Sequence, residues 1–254
     1  MRVDLEFHPP MQGRVDASSL QPDFILRMTR VEMEHLTLTI SNQIIPLAEA
    51  CTILCDPEGV DDLVLSGETQ ILTKVGHSMK GGKLTVEGDA GDEVGVDMTS
   101  GLIRVHGSVG DWCGANKTAN SSGMQGGMIF VDGRAGDQVG AGMRRGLIYI
   151  SKNTGQYTGA RMAAGTILCG GKLGDNPGLG MKRGSIIASK IDCLLPGFYP
   201  AGKADDEWLK VCFSEVRRAG MSLPAKWLKA IPMRFTGDHL EMGKGEILVY
   251  EPLE

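Results

Sequence analysis

Val75-Gly76-His77-Ser78-Met79-Lys80-Gly81-Gly82-Lys83-Leu84-Thr85-Val86-Glu87-Gly88 is followed, 19 residues on, by Val94-Gly95-Val96-Asp97-Met98-Thr99-Ser100-Gly101-Leu102-Ile103-Arg104-Val105-His106-Gly107. Both stretches read V-G-x-x-M-x-x-G and then a short run in which apolar and other residues alternate. The methionine–glycine pair returns at Met124 and Gly127, Met143 and Gly146, Met162 and Gly165, and Met181 and Gly184. The steps between methionines are 19, 26, 19, 19 and 19 residues, and the long step holds a seven-residue insertion within residues 114–123. Internal repetition at a fixed period points to stacked supersecondary units.

Within each unit, Leu84 and Val86, Ile103 and Val105, Ile129 and Val131, Ile148 and Ile150, Ile167 and Cys169, and Ile186 and Ala188 stand two apart. A period of two marks a strand with one buried face. Stacked in parallel, such strands lie about 4.8 Å apart and their inward residues form one column. Glycine reaches positive φ without a steric penalty, so it suits the sharp turns that a 19-residue unit needs. Methionine fills irregular gaps, so the six methionines are expected inside. The expected fold is all-β: a right-handed parallel β-helix of about 19-residue coils over residues 59–190. A small N-terminal cap segment (1–58) and a C-terminal helix and tail (191–254) cover its open ends.

The ends carry their own signals. The first seven residues alternate as a short strand. Thr29 and Glu32 have capping-box spacing for a short helix. A longer helix is expected from about Asp205 to Ala219. Asp205, Asp206 and Glu207 open it, Arg217 and Arg218 close it in accord with the macrodipole, and Gly220 stops it. Its apolar stripe is Trp208, Leu209, Cys212, Phe213 and Val216, at helical spacing.

Composition narrows the function classes. The chain has 254 residues, 36 of them glycine, with 5% aromatic residues and a net charge of −5. An acidic balance argues against a nucleic-acid partner. No apolar run is long enough for a membrane span, and the N-terminus lacks a signal peptide's apolar core, so a cytoplasmic chain with free thiols is expected. The six cysteines form no C-x-x-C pair, and the five histidines include no metal-ligand spacing, so no metal site is expected. No phosphate-binding glycine loop and no Ser/His/Asp constellation is identifiable.

Four features remain as candidates. Asp92, Asp111, Asp137 and Asp175 recur after the turn glycines, and Gln156 takes this place in the fifth copy of the repeat. A carboxylate ladder could bind a cation or cleave acidic polysaccharide, but turn capping is the favoured reading, since the glutamine breaks the ladder and sugar-stacking aromatics are few. Arg144, Arg145, Arg161, Lys182 and Arg183 gather at another corner. They form either a solvated edge or a patch for an acidic partner or an anionic carrier tail. His106 points outward and reads as a solvated or interface histidine. The outward column Thr85, Arg104, Phe130, Tyr149, Leu168, Ile187 turns from polar to apolar. Four stacked apolar residues call for a cover. The stripe around Trp208 and Phe213 is the favoured one and a second protein chain the other, so Phe130, Tyr149, Leu168, Ile187, Trp208 and Phe213 are the interface candidates.

The unit V-G-x-x-M-x-x-G-x-[ILV]-x-V-x-G-x-[AV]-G, over about residues 67–190, resembles a glycine-rich β-helix found in two groups of proteins. One is the C-terminal domain of the large glutamate synthase subunit. The other is the third subunit of formylmethanofuran dehydrogenase, shared with the related formyltransferase/hydrolase complex. The flanks favour the second group. Val15-Asp16-Ala17-Ser18-Ser19-Leu20-Gln21-Pro22-Asp23 resembles its opening segment, and Met124-Gln125-Gly126-Gly127 and Met143-Arg144-Arg145-Gly146 resemble its coils. Arg234-Phe235-Thr236-Gly237-Asp238 with Gly243-Lys244-Gly245-Glu246-Ile247-Leu248 resembles its closing motif. The Arg144-Arg145 coil and this ending favour the formyltransferase/hydrolase version.

That resemblance implies a structural and assembly role in a multi-subunit complex of methylotrophic one-carbon metabolism, formaldehyde to formate, linked to tetrahydromethanopterin and methanofuran. Catalysis, a methanofuran-type carrier and zinc would belong to formyltransferase-like and amidohydrolase-like sister chains. This chain would carry no catalytic site and bind no cofactor of its own. The alternatives are the corresponding third subunit of a tungsten or molybdenum formylmethanofuran dehydrogenase, a glutamate-synthase-like scaffold domain, and an autonomous β-helix enzyme acting on acidic polysaccharide.

Overall fold

The computed structural model describes residues 1–8, 13–41, 43–116, 123–205 and 207–251. Most of the insertion after Gly114, and Asp206 at the expected helix start, lie outside the described residues. In chain order the strands are β1 Arg2–Phe7, β2 Val15–Asp16, β3 Thr37–Ile40, β4 Gln43–Pro46, β5 Cys51–Asp56, β6 Asp62–Gly67, β7 Leu72–Thr73 and β8 Lys83–Val86. There follow β9 Leu102–Val105, β10 Gln125–Val131, β11 Arg145–Ile150, β12 Thr166–Lys172, β13 Arg183–Lys190, β14 Tyr199–Lys203, β15 Met233–Gly237 and β16 Lys244–Val249. The helices are α1 Pro22–Ile25, α2 Arg30–Glu34, α3 Leu47–Ala50 and α4 Glu207–Arg218. No helix among the described residues is long and apolar enough to cross a membrane.

The expectation of an all-β, right-handed parallel β-helix is corrected. The chain is mixed α/β, with a 12-stranded, largely parallel sheet in the order β14-β15-β16-β13-β12-β11-β10-β9-β8-β6-β1-β5 and a 4-stranded sheet in the order β4-β3-β2-β7. The physical reason lies in the glycine-rich part of each 19-residue interval. The ladder strands run four residues in β8 and eight in β13. The remaining residues turn, and they meet their neighbours through isolated bridges such as Ala90 with Val109 and Val109 with Ala135. They therefore add no further extended strands to the sheet. At both ends the chain departs from parallel pairing. β5 joins β1 antiparallel, and β14, β15 and β16 form an antiparallel run.

The sheet's registers still join equivalent residues. Leu84 pairs with Ile103, Ile103 with Ile129, Ile148 with Ile167, and Ile167 with Ile186. All of these side chains are fully buried. Removing such a side chain from water stabilises the fold by about 1.5–3 kcal/mol. The column is extended by two strands from distant sequence. β1 lies parallel to β6 with Val3 beside Leu63, and β16 lies parallel to β13 with Ile247 beside Ile186.

The methionines explain the glycines that follow them. Met79, Met98, Met124, Met143, Met162 and Met181 are all fully buried. The Met79 methyl would lie 2.7 Å from a Cβ on Gly101, and the Met124 methyl 2.8 Å from one on Gly146. Each glycine makes room for the methionine one step earlier, and its φ of +101° or +104° also disfavours any side chain.

The expected terminal signals correspond to local structure. The Thr29–Glu32 capping box is formed at α2. α4 spans Glu207–Arg218 and Gly220 follows it with φ 76°. α4 buries Leu209, Phe213 and Val216 against Phe130, Tyr149, Leu168 and Ile187, with Trp208 and Cys212 partly buried beside them.

Candidate functional site

The carboxylate ladder is used by the backbone. The Asp111 N–H donates to Asp92 Oδ1 at 3.0 Å, the Asp137 N–H to Asp111 Oδ1 at 2.8 Å, and the Gln156 N–H to Asp137 Oδ1 at 2.8 Å. Asp92 also holds an ion pair with Arg14. A parallel set runs beside it: Asp89 accepts from the Ser108 N–H at 2.7 Å, and Asn153 from the Lys172 N–H at 3.0 Å. Short side chains capping backbone donors are turn chemistry. Among the described residues, no group of three or more His, Cys, Asp or Glu residues could hold a metal ion.

Next to this ladder is a corner that sequence reasoning missed. Lys74, Glu93, Trp112, Gln138, Tyr157 and Asn176 all take φ between 56° and 66°. Left-handed backbone costs a non-glycine residue roughly 1–2 kcal/mol. Bonds to the next interval offset it: the Glu93 N–H reaches the Asp111 carbonyl and the Tyr157 N–H the Asp175 carbonyl, each at 2.8 Å. With six different residue types, no compositional signal marks the corner.

The basic corner is exposed at every position. Arg144, Arg145, Arg161, Lys182 and Arg183 all face solvent. None is joined to a carboxylate among the described residues. Arg145 and Arg183 start strands β11 and β13, with one strand between them, so they stand roughly 10 Å apart. Arg183 is paired in register with Lys244 of β16, which extends the patch. The link to Lys244 was hidden in the sequence because β13 and β16 are far apart in the chain. An open edge of unpaired cations can attract an anionic chain or face, but it encloses no small molecule.

The interface candidates lie inside the chain. Phe130, Tyr149, Leu168 and Ile187 are at most 1% exposed, and Phe213 is 8% exposed in the same cluster. Trp227, which the helix stripe did not include, completes the cover. It stacks on Phe213 at 5.5 Å and on Tyr250 at 5.3 Å, meets Tyr149 edge-on at 6.4 Å, and donates from Nε1 to Ser189 Oγ at 3.0 Å. The Tyr149 hydroxyl donates to the Ser222 carbonyl at 2.7 Å, and burial pushes its pKa up to about 12.

Where this cover ends, the outward column becomes polar. A cleft of about 360 Å³ opens there, lined by Asp62, Lys83, Thr85, Arg104 and His106 among others. The charged side chains among these are all held in pairs. Lys83 pairs with Asp62, which also accepts the Thr85 hydroxyl at 3.0 Å. Arg104 and His106 share Asp132, at 2.6 and 3.0 Å. His106 is thus anchored at a surface ion cluster.

The six cysteines are all free. Burial raises the thiol pKa of Cys51 and Cys113 to about 12 and that of Cys169 to about 11, which keeps them protonated and unreactive at neutral pH.

These features define a class: a protein built on a largely parallel sheet, whose regularly spaced polar side chains mostly hold its own turns. No family model matches the chain, and no curated protein matches it. It is similar to a chain of the crystal structure of the formyltransferase/hydrolase complex (FhcABCD) from Methylorubrum extorquens in complex with methylofuran. The TM-score is 0.81 at 30% identity, over 97% of this chain and 98% of that chain. The chain belongs to the family of formyltransferase/hydrolase complex subunits.

Proposed function

We propose that this chain is the third subunit of a formyltransferase/hydrolase complex, with a non-catalytic assembly role in methylofuran-linked one-carbon metabolism. The observation that carries the reading is the fate of the carboxylate ladder. Asp92, Asp111 and Asp137 each commit one carboxylate oxygen, Oδ1, to a backbone N–H of the next interval, and the second oxygen of Asp92 pairs with Arg14. An acid or base tied into the turns in this way is poorly placed to serve a substrate.

In this reading the chain binds no cofactor of its own. The carrier's reacting end and any zinc belong to the formyltransferase-like and amidohydrolase-like sister chains. The exposed edge of Arg144, Arg145, Arg161, Lys182 and Arg183 fits an anionic portion of the carrier or an acidic face of a sister chain, since long-range attraction needs unpaired surface charge. We place the complex in the cytoplasm, in keeping with six free thiols.

The test is a gentle native purification from the protein's own cells, with mass spectrometry of whatever remains bound. Stoichiometric recovery with a formyltransferase-like and an amidohydrolase-like chain is the expected result. Recovery as a lone monomer, or turnover by the isolated chain that Asp111→Ala abolishes, would overturn the reading.

A further inference from the structure

Between α4 and the segment 225–232 lies a groove of about 420 Å³ that none of the sequence motifs anticipated. Its floor is aromatic and aliphatic: Leu209, Phe213, Trp227 and Tyr250 line it. The Phe213–Trp227–Tyr250 stack makes the floor rigid, with interplanar angles of 27° and 14°. Two large apolar side chains flank it while open to water, Leu228 at 51% and Ile231 at 47% exposure.

The rim is cationic. Lys210, Arg217 and Lys229 line the groove and all face solvent, and among the described lining residues the one carboxylate is that of Asp205. Lys210 is paired with Glu207, whereas Arg217 and Lys229 meet no carboxylate among the described residues. On a chain with a net charge of −5, this is a local reversal of sign beside exposed apolar surface.

We infer that this groove is a docking site for a segment of a sister chain that presents a large apolar side chain flanked by Asp or Glu. The inference rests on the assembly reading above. Charge selects the occupant. A second copy of this chain meeting the groove about a two-fold axis would bring Arg217 and Lys229 against themselves, and like charges in contact disfavour that pairing. An acidic segment neutralises both. A rigid aromatic floor with aliphatic flanks and a charged rim is the anatomy of an interface centre, where a few anchors carry most of the energy.

The test uses the complex co-purified with this chain carrying a photo-crosslinking residue at Leu228, alongside Ile231→Asp and the double variant Arg217→Glu/Lys229→Glu. Each variant's melting temperature is checked so that a folding defect is separated from a docking defect. The expected outcome is a crosslink to an acidic, apolar segment of one sister chain, retention of that chain weakened at least about tenfold by Ile231→Asp, and a salt-sensitive loss with the double variant. Full retention by folded variants, a crosslink between two copies of this chain, or no crosslink inside an intact complex would overturn the inference and leave the assembly reading standing. If the unaltered chain retains no sister chain at all, the assembly reading fails, and this inference with it.

Discussion

The two faces of the long sheet differ along their length. On one face Leu63, Leu84, Ile103, Ile129, Ile148, Ile167, Ile186 and Ile247 follow one another, all fully buried. On the other, the registered residues are Val64, Thr85, Arg104, Phe130, Tyr149, Leu168, Ile187 and Leu248. The first face meets the same surroundings at each strand, because its neighbours are equivalent residues, so four-carbon aliphatic side chains, leucine and then isoleucine, serve throughout. The second meets whatever distant sequence lays over it. It is polar at Thr85 and Arg104, and apolar from Phe130 onward under α4, so the change between Arg104 and Phe130 records where the cover ends.

That contrast can be broken from the side of the cover. Trp227→Ala removes the ring that joins Phe213, Tyr149 and Tyr250, and should cost about 3–5 kcal/mol. Hydrogen exchange should show α4 opening while β8, which contributes nothing to the covered cluster, keeps its protection. Uniform loss over the whole sheet would mean that the faces are not separable. Ile148→Ala on the inner face should cost about 2–5 kcal/mol, and the loss should spread over the parallel strands and spare α4. Melting and exchange together read both numbers and both patterns.

Smaller changes sharpen it. Tyr149→Phe keeps the ring and removes one bond to Ser222, so denaturant titration should register about 1 kcal/mol. Thiol labelling of the native protein at neutral pH should modify the exposed Cys55 and Cys193 first, and Cys113 and Cys169 only on unfolding. Because burial raises the last two, their neutral form stabilises the fold fully below their ordinary thiol pKa. That contribution is lost as pH rises through about 11–12.

The inner column was legible because alternation by two survives at every interval and all the intervals but the one with the insertion have equal length. The cover was legible from the spacing of Leu209, Phe213 and Val216. Fold class was misread from the same signal. The fixed period and its turn glycines suggested a solenoid of stacked coils, whereas the turns meet through single bridges, and helices and antiparallel strands close the ends. β16 beside β13, β1 beside β6 and the 4-stranded sheet depend on pairings between distant segments, which periodicity does not encode. The same blindness hid Lys244 beside Arg183, and Trp227 over Tyr149.

The left-handed corner of Lys74, Glu93, Trp112, Gln138, Tyr157 and Asn176 has a use in engineering. From Lys74 to Tyr157 its backbone N–H groups are held by carbonyls of the adjoining interval, and six unlike side chains already occupy it. Where conformation is set from outside, side-chain identity can vary, although Lys74 here pairs with Asp16 and Trp112 and Tyr157 pack on a small alanine cluster. The corner positions amount to a display rail, with attachment points about 4.8 Å apart where successive intervals stack directly, on which chosen groups could be set in a row without redesigning the sheet beneath.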